Sequence, residues 1–352
     1  MRAYDLIADL PVAVDGYELE ALRRPVSSGF VRHTTVVRLR GEGEEGLGED
    51  VTYDAGDQER FQREGPVLDL GGRHTIDSFS RLVGELDLFP GVGPQHEGYR
   101  FYRRWAFESA ALDLALRQAG ASLAAVLDRQ PAPVRFVVSR RLPEPPSTTP
   151  LRAILAAYPD TRFKLDPTSD WDEELVVELA ALDAVEVVDL KAAYRGTRVD
   201  QPAHPRLYRL VAEGFPGAVI EDPDLEDLRT AEVLQPYLAR VSWDAIIHSV
   251  ADIEALRFPP STLNIKPSRF GSVKALLDGY DYCAERGIQL YGGGQFELSV
   301  GRGQIQYLAS IFHPDAPNDV APLGYDSDPP EPGTAPSPLM PRPASIGFRW
   351  DG

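Results

Sequence analysis

The chain has 352 residues, 43% hydrophobic and 26% charged, the profile of a water-soluble globular protein with room for a large core. Its formal net charge of −18 argues against nucleic acid or an anionic membrane surface as partner. The single cysteine, Cys283, excludes an internal disulfide, and Met1-Arg2-Ala3-Tyr4-Asp5 lacks the apolar core of a secretion signal, so the expected compartment is the cytoplasm.

In chain order, residues 17 to 53 predict a hairpin or meander. Tyr17 to Leu22 alternates, Thr34 to Arg40 is rich in β-formers, and Gly41 to Gly48 reads as a Gly/Glu turn before Glu49 to Tyr53. The connection Arg23 to His33 carries groups that bind anions and aromatics. From Ser78 to Leu88 and from Tyr102 to Ala119 the spacing turns helical, and the second helix is apolar on most faces, so it should be buried. Strands followed by helices predict an α+β domain over residues 1–125.

After Pro131 strands and helices alternate. Strand candidates are Val134 to Val138, Arg162 to Leu165, Val185 to Val188, Ala218 to Ile220, Arg240 to Trp243, Leu263 to Ile265 and Ile288 to Tyr291, with helical stretches between them. Near-continuous apolar strands separated by helices call for a parallel sheet covered on both faces. Seven such units, with a short eighth strand near Asn318-Asp319-Val320, fit a closed α/β barrel over residues 126–322. The remainder, 323–352, is Pro-rich and reads as an irregular tail, with a return to the first domain as one course open to it.

Four of the apolar runs end in chemistry-bearing residues: Asp189, Glu221, Asp244 and Lys266. Groups at the same end of successive parallel strands converge on one rim. Three oxygen donors and one amine there suggest a hard divalent cation with a base beside it. Any one of the acids alone reads equally well as a helix cap; the ordered set does not.

These residues resemble a known family. An α+β cap followed by strands ending in Asp, Glu, Asp and Lys resembles the enolase superfamily. The likeness is greatest to its muconate-lactonizing-enzyme-like subgroup, which includes o-succinylbenzoate synthases, N-succinylamino acid racemases and dipeptide epimerases. Ile220-Glu221-Asp222-Pro223, Asn264-Ile265-Lys266-Pro267 and Gly292-Gly293-Gly294-Gln295-Phe296-Glu297 carry the resemblance. It implies a modified (β/α)7β TIM-like barrel with an N-terminal α+β capping domain. It also implies Asp189, Glu221 and Asp244 as ligands of Mg²⁺ (or Mn²⁺), with Lys266 as general base. The cap loop, through Arg24, Ser28, Phe30 and His33, would close over a small carboxylate substrate, with Gln295 and Glu297 facing it from the seventh strand. Homo-oligomers are expected of such relatives.

Removing a proton α to a carboxylate places a second negative charge on an anionic group, and a cation on both carboxylate oxygens makes the ene-diolate attainable. Two departures from the family pattern bear on the outcome. The family's Lys-x-Lys on the second strand reads Lys164-Leu165-Asp166 here, and the Asn expected two residues after the first metal ligand is Lys191. Asp166 reads as a base, a partner for a substrate amine, or a partner for Lys191; Lys164 as a catalytic group or a salt-bridge partner of Asp166. Loss of the opposing lysine favours a one-base elimination or cycloisomerisation. The alternatives are a racemase or epimerase in which Lys164 or Lys191 serves as second base, and a catalytically silent metal-binding relative.

Overall fold

Residues 2–26, 29–195 and 201–350 are described in the computed structural model. The first segment, β1 (Pro11–Val14), is followed by a three-stranded antiparallel sheet of β2 (Gly16–Pro25), β3 (Val31–Gly41) and β4 (Glu44–Asp50). The β2–β3 ladder continues to Arg24↔Arg32 and Pro25↔Val31. Arg24 and His33 are therefore strand residues, and the connection expected from Arg23 to His33 shrinks to 26–30. Polar side chains extend the strands because each finds a partner: Arg23 reaches Glu59 at 3.2 Å and Arg24 reaches Glu331 at 2.5 Å.

The turn expected over Gly41 to Gly48 is likewise shorter. Only Glu42 and Gly43 turn, both at positive φ (51° and 81°), the backbone of a two-residue hairpin. Gly46 and Gly48 lie within β4, where the sheet meets a helix without side chains between them. A Cβ on Gly46 would sit 2.1 Å from the Ala110 carbonyl oxygen, and one on Gly48 2.0 Å from that of Ala106. Replacing Gly48 with alanine should destabilise the protein by about 1–3 kcal/mol through overpacking; a urea titration of the purified variant measures it.

The helix is the third of the cap's three. α1 (Ala55–Glu64) begins at Asp54, whose side chain accepts the Asp57 amide. Its polar surface around one buried aromatic, Phe61, gave no apolar periodicity to read. Strand β5 (Gly72–Thr75) pairs antiparallel with β1, and Thr75 and Ser78 form a capping box for α2 (Ile76–Glu85). α3 (Tyr99–Gln118) is buried without interruption from Trp105 to Leu116, as its all-round apolar surface predicts.

The second half alternates as expected: α4 (Leu123–Val126), β6 (Val137–Arg140), α5 (Thr149–Ala157), β7 (Arg162–Leu165), α6 (Glu173–Ala180), β8 (Val185–Asp189), α7 (Pro205–Gly214), β9 (Val219–Glu221), α8 (Leu228–Leu234), β10 (Val241–Ser242), α9 (Val250–Glu254), β11 (Thr262–Ile265), α10 (Pro267–Phe270), α11 (Val273–Arg286), β12 (Gln289–Gly292) and α12 (Val300–Phe312). The strands are parallel, in the order β10-β9-β8-β7-β6 and β11-β12. Backbone hydrogen bonds join these two sheets into a ring. The Asn264 amide donates to Trp243 (3.1 Å), the Asp319 amide to Gly292 (2.8 Å), and the Val137 amide to Asn318 (2.8 Å).

Asn318-Asp319 thus forms the last stave between β12 and β6, through single bridges to Phe136 and Gly293. The buried Asn318 side chain accepts the Gly292 amide at 2.7 Å and donates to Arg135, His313 and Ala316 carbonyls. Val134, expected in the first barrel strand, pairs instead with Leu339. The Phe348 amide donates to Asp113 of α3 at 2.7 Å, and the Arg349 guanidinium pairs with the same carboxylate at 2.6 Å. Among the described residues no helix is long and apolar enough to cross a membrane.

Candidate metal centre and active site

The barrel delivers charged groups to one rim because each sits at or just past the carboxyl end of a strand. Asp189 ends β8, Glu221 ends β9, Asp244 follows β10 by two residues and Lys266 follows β11 directly. All four are buried, as is Lys164 on β7. The Lys164 ammonium contacts Glu221 and lies 3.0 Å from Asp189 and 3.6 Å from Asp319. It makes none of these contacts with Asp166. That acid faces Lys191, whose ammonium is 3.5 Å from Asp166 Oδ1 and in contact with Asp189 Oδ2.

Lys266 Nζ is 2.8 Å from Asp244. Arg269, from the short α10, approaches the same carboxylate at 3.0 and 3.3 Å and donates to the Tyr194 hydroxyl at 2.7 Å. Tyr291 donates to Glu221 and to Ser242, and Asn264 donates to Glu221 at 3.2 Å. Arg269, Tyr194, Tyr291 and Asp319 escaped sequence reading. Of these, Arg269 left one local signal: a cation three residues past Lys266, one helical turn onward.

Burial favours the neutral form of every acid here, and the cations decide which acids resist it. At Asp189 burial is outweighed by Lys164 and Lys191, so its carboxyl is held below the usual range. At Asp244 burial is outweighed by Arg269 and Lys266, with the same result. At Glu221 burial prevails over Lys164 and is reinforced by Asp189 and Asp244, so its pKa is pushed up to about 8. Asp222, buried beside Asp244 and Asp189, is pushed up to about 6. For Lys266 burial works against the ammonium, yet Asp244 outweighs it and the pKa stands above the ordinary lysine value.

The rim is short of positive charge. Asp166, Asp189, Glu221, Asp244 and Asp319 face Lys164, Lys191, Lys266 and Arg269, and Asp222 adds a further buried acid behind Asp244. The acids outnumber the cations, and the donors are all oxygen, with no His or Cys in the set. That suits a hard cation.

As the side chains stand, Asp189, Glu221 and Asp222 bring oxygens within 4.8 Å of one another. Asp222 is also engaged elsewhere. Both its oxygens accept backbone amides, from Asp244 (2.8 Å) and Ala245 (3.0 Å), and so fix the strand end that carries Asp244. Asp244 is held instead by the side chains of Lys266 and Arg269.

The cap supplies a second layer. Arg32, 1% exposed, donates to the Thr52 carbonyl of the cap and to the Gln295 carbonyl of the barrel, both at 2.8 Å. Gln295 is further held by the Tyr53 and Tyr102 hydroxyls, at 3.0 and 3.2 Å. Glu297 Oε1 accepts the Gln295 amide at 2.8 Å, while its buried Oε2 has no hydrogen-bond partner and lies 3.9 Å from Arg302. Phe30 packs edge-on against Phe296, 5.9 Å between centroids. His33 faces Glu59 at 3.9 Å, and Arg24 is tied to Glu331 and the Leu323 carbonyl. Ser28 lies outside the described residues. Of the cap residues singled out from sequence, Phe30 therefore stands beside the seventh-strand loop, and Arg24 and His33 are engaged elsewhere.

Comparison with known proteins agrees with this layout. Two family models match consecutive parts of the chain. One, described as the N-terminal domain of a domain of unknown function, DUF8230, covers residues 5–126; the corresponding C-terminal domain covers residues 130–327. The chain belongs to the DUF8230 family.

This DUF8230 chain is 27% identical over 339 residues to an N-succinylamino acid racemase of Amycolatopsis sp, covering 88% of this chain and 86% of that one. It is 26% identical over 224 residues to an o-succinylbenzoate synthase of Bacillus subtilis (strain 168), covering 61% of this chain and 57% of that one. Among solved structures it resembles a dipeptide epimerase from Enterococcus faecalis V583, with a TM-score of 0.69, 16% identity, and 96% and 99% of the two chains covered. It also resembles a muconate cycloisomerase from Pseudomonas fluorescens, with a TM-score of 0.65, 19% identity, and 88% and 87% covered. The DUF8230 chain is thus a muconate-lactonizing-enzyme-like member of the enolase superfamily, with the capped α/β barrel its sequence predicts.

The two departures from the subgroup's pattern meet in space. Asp166, in place of a lysine, and Lys191, in place of an asparagine, face each other across 3.5 Å.

Proposed function

We propose that this chain is a Mg²⁺-dependent enzyme that removes the proton α to a carboxylate from a small carboxylic acid, and that it completes a one-base elimination or cycloisomerisation. Convergence of Asp189, Glu221, Asp244 and Lys266 on one rim whose acids outnumber its cations is the observation that carries this reading. Asp189, Glu221 and Asp244 would hold the cation, which when bound supplies the field that makes the α-proton removable. Lys266 takes the proton. Its ammonium is paired with Asp244, and engagement of that carboxylate by the cation would free the amine to act as base.

Lys164 is poorly suited to act as a second base. It is 1% exposed and shared among Asp189, Glu221 and Asp319, whereas Lys266 is paired with Asp244 alone. That favours one base over racemisation. A cytoplasmic location and a homo-oligomeric state complete the proposal. Incubation with candidate carboxylic acids in D₂O with Mg²⁺ tests it: the expected result is α-deuterium incorporation without inversion. No incorporation with any acid would leave a silent relative, and inversion would point to two bases.

Glu221 makes a separate pH prediction. A carboxyl whose pKa is raised to about 8 on folding holds a proton that the unfolded chain has already released. The metal-free protein should therefore lose stability as pH rises from about 4.5 toward 8. Proton and cation compete for the same oxygens. Divalent-ion affinity should accordingly rise by up to about tenfold per pH unit below about 8 and level off above it. Calorimetric titration with Mn²⁺ at several pH values measures both slope and plateau.

A further inference from the structure

We propose that Lys191 is a two-seat cation governing divalent-ion entry: on Asp189 it holds the ion's place, and on Asp166 it leaves that place open. The inference rests on the metal reading above.

Asp189 has no oxygen to spare as it stands. Oδ1 accepts the Lys191 backbone amide at 3.2 Å, and Oδ2 faces both the Lys164 and Lys191 ammonium groups. An ion that reaches Asp189 must displace one of the two. Lys164 is the fixed one, because it is 1% exposed, belongs to a strand and is shared among Asp189, Glu221 and Asp319. Leaving them would strand a charge in the core.

Lys191 is the movable one. It lies beyond the end of β8 at φ 53°, with its side chain 15% exposed. A second acceptor waits beside it. Asp166 Oδ1 is buried, has no hydrogen-bond partner among the described residues, and is 3.5 Å from Lys191 Nζ. A buried acceptor without a partner is costly, so a small swing of the ammonium relieves Asp166 as it releases Asp189. The two departures in sequence then form one device. Lys191 stands in for the ion, and Asp166 receives Lys191 when the ion arrives.

The test uses the full-length protein with Mn²⁺ as probe, free ion being read by electron paramagnetic resonance. Lys191→Ala should bind Mn²⁺ about tenfold more tightly, the order expected for removing one unit charge beside the ion at a partly buried site. Asp166→Asn should bind severalfold more weakly, having lost the second seat. In the double variant the Asp166 effect should vanish, leaving the affinity of Lys191→Ala. Lys191→Gln serves should the alanine variant fail to fold, as checked by circular dichroism.

Unchanged or weaker binding by the Lys191 variants overturns the proposal. So does an Asp166→Asn effect of equal size with and without Lys191, because Asp166 would then act on the ion itself. Absence of Mn²⁺ binding in wild type and every variant sinks the metal reading beneath. Wild-type binding that the Lys191 variants leave untouched removes only the two-seat role.

Discussion

Replacing Lys266 with alanine should slow α-proton exchange by about 10²–10⁴-fold, the usual contribution of a placed general base. Mn²⁺ binding should survive. The lysine stem is held against bare backbone: a Cβ on Gly293 would come within 2.7 Å of Lys266 Cε. Its ammonium is aimed at Asp244, 2.8 Å away. Removing it leaves Asp244 paired with Arg269, so the ligand carboxylate keeps a partner and the fold is spared. Lys266→Arg should not restore exchange, because a guanidinium does not give up its proton near neutrality. Deuterium incorporation followed by NMR, beside a Mn²⁺ titration of the same sample, gives the answer. Exchange at the wild-type rate in either variant would place the base elsewhere.

Lys164→Met should instead cost stability, by about 3–5 kcal/mol in the metal-free protein, because it leaves buried carboxylates without their cation. Asp189 and Glu221 lose a shared partner, and Asp319 loses one at 3.6 Å. The loss should be larger above about pH 8, where Glu221, its pKa pushed up to about 8, gives up its proton and adds to the repulsion. It should shrink when a divalent ion is added. Urea titrations at two pH values, with and without Mg²⁺, separate these effects. A loss independent of pH would mean that the methionine merely packs badly.

What was legible in the sequence was whatever repeats locally. Apolar runs ending in Asp189, Glu221 and Asp244 exposed the barrel and its acids, because a strand and the residue at its end are adjacent in the chain. The buried face of α3 was visible for the same reason. The charges that answer those acids were not. Tyr291 and Asp319 reach Glu221 and Lys164 from more than 60 residues away, and no window of sequence joins them. Arg32 reads as one of the anion-binding groups of a connection until the barrel loop with Gln295 is laid against it. Gly46 and Gly48 resemble turn residues by composition, and only the approach of α3 explains them. The pairing of Lys164 with Asp166 is not formed because Asp189, Glu221 and Asp319 take up Lys164 while Lys191 faces Asp166.

Asn318 gives the molecule a point of vulnerability that none of its longer strands has. One carboxamide seals the seam between the first and last staves, and the neighbouring residue, Asp319, touches Lys164. Loss of that seal would leave the seam to its backbone hydrogen bonds, beside the ammonium of Lys164 that three acids share. Damage to a single uncharged side chain, far along the chain from every proposed ligand, would then be felt first as a fault in electrostatics.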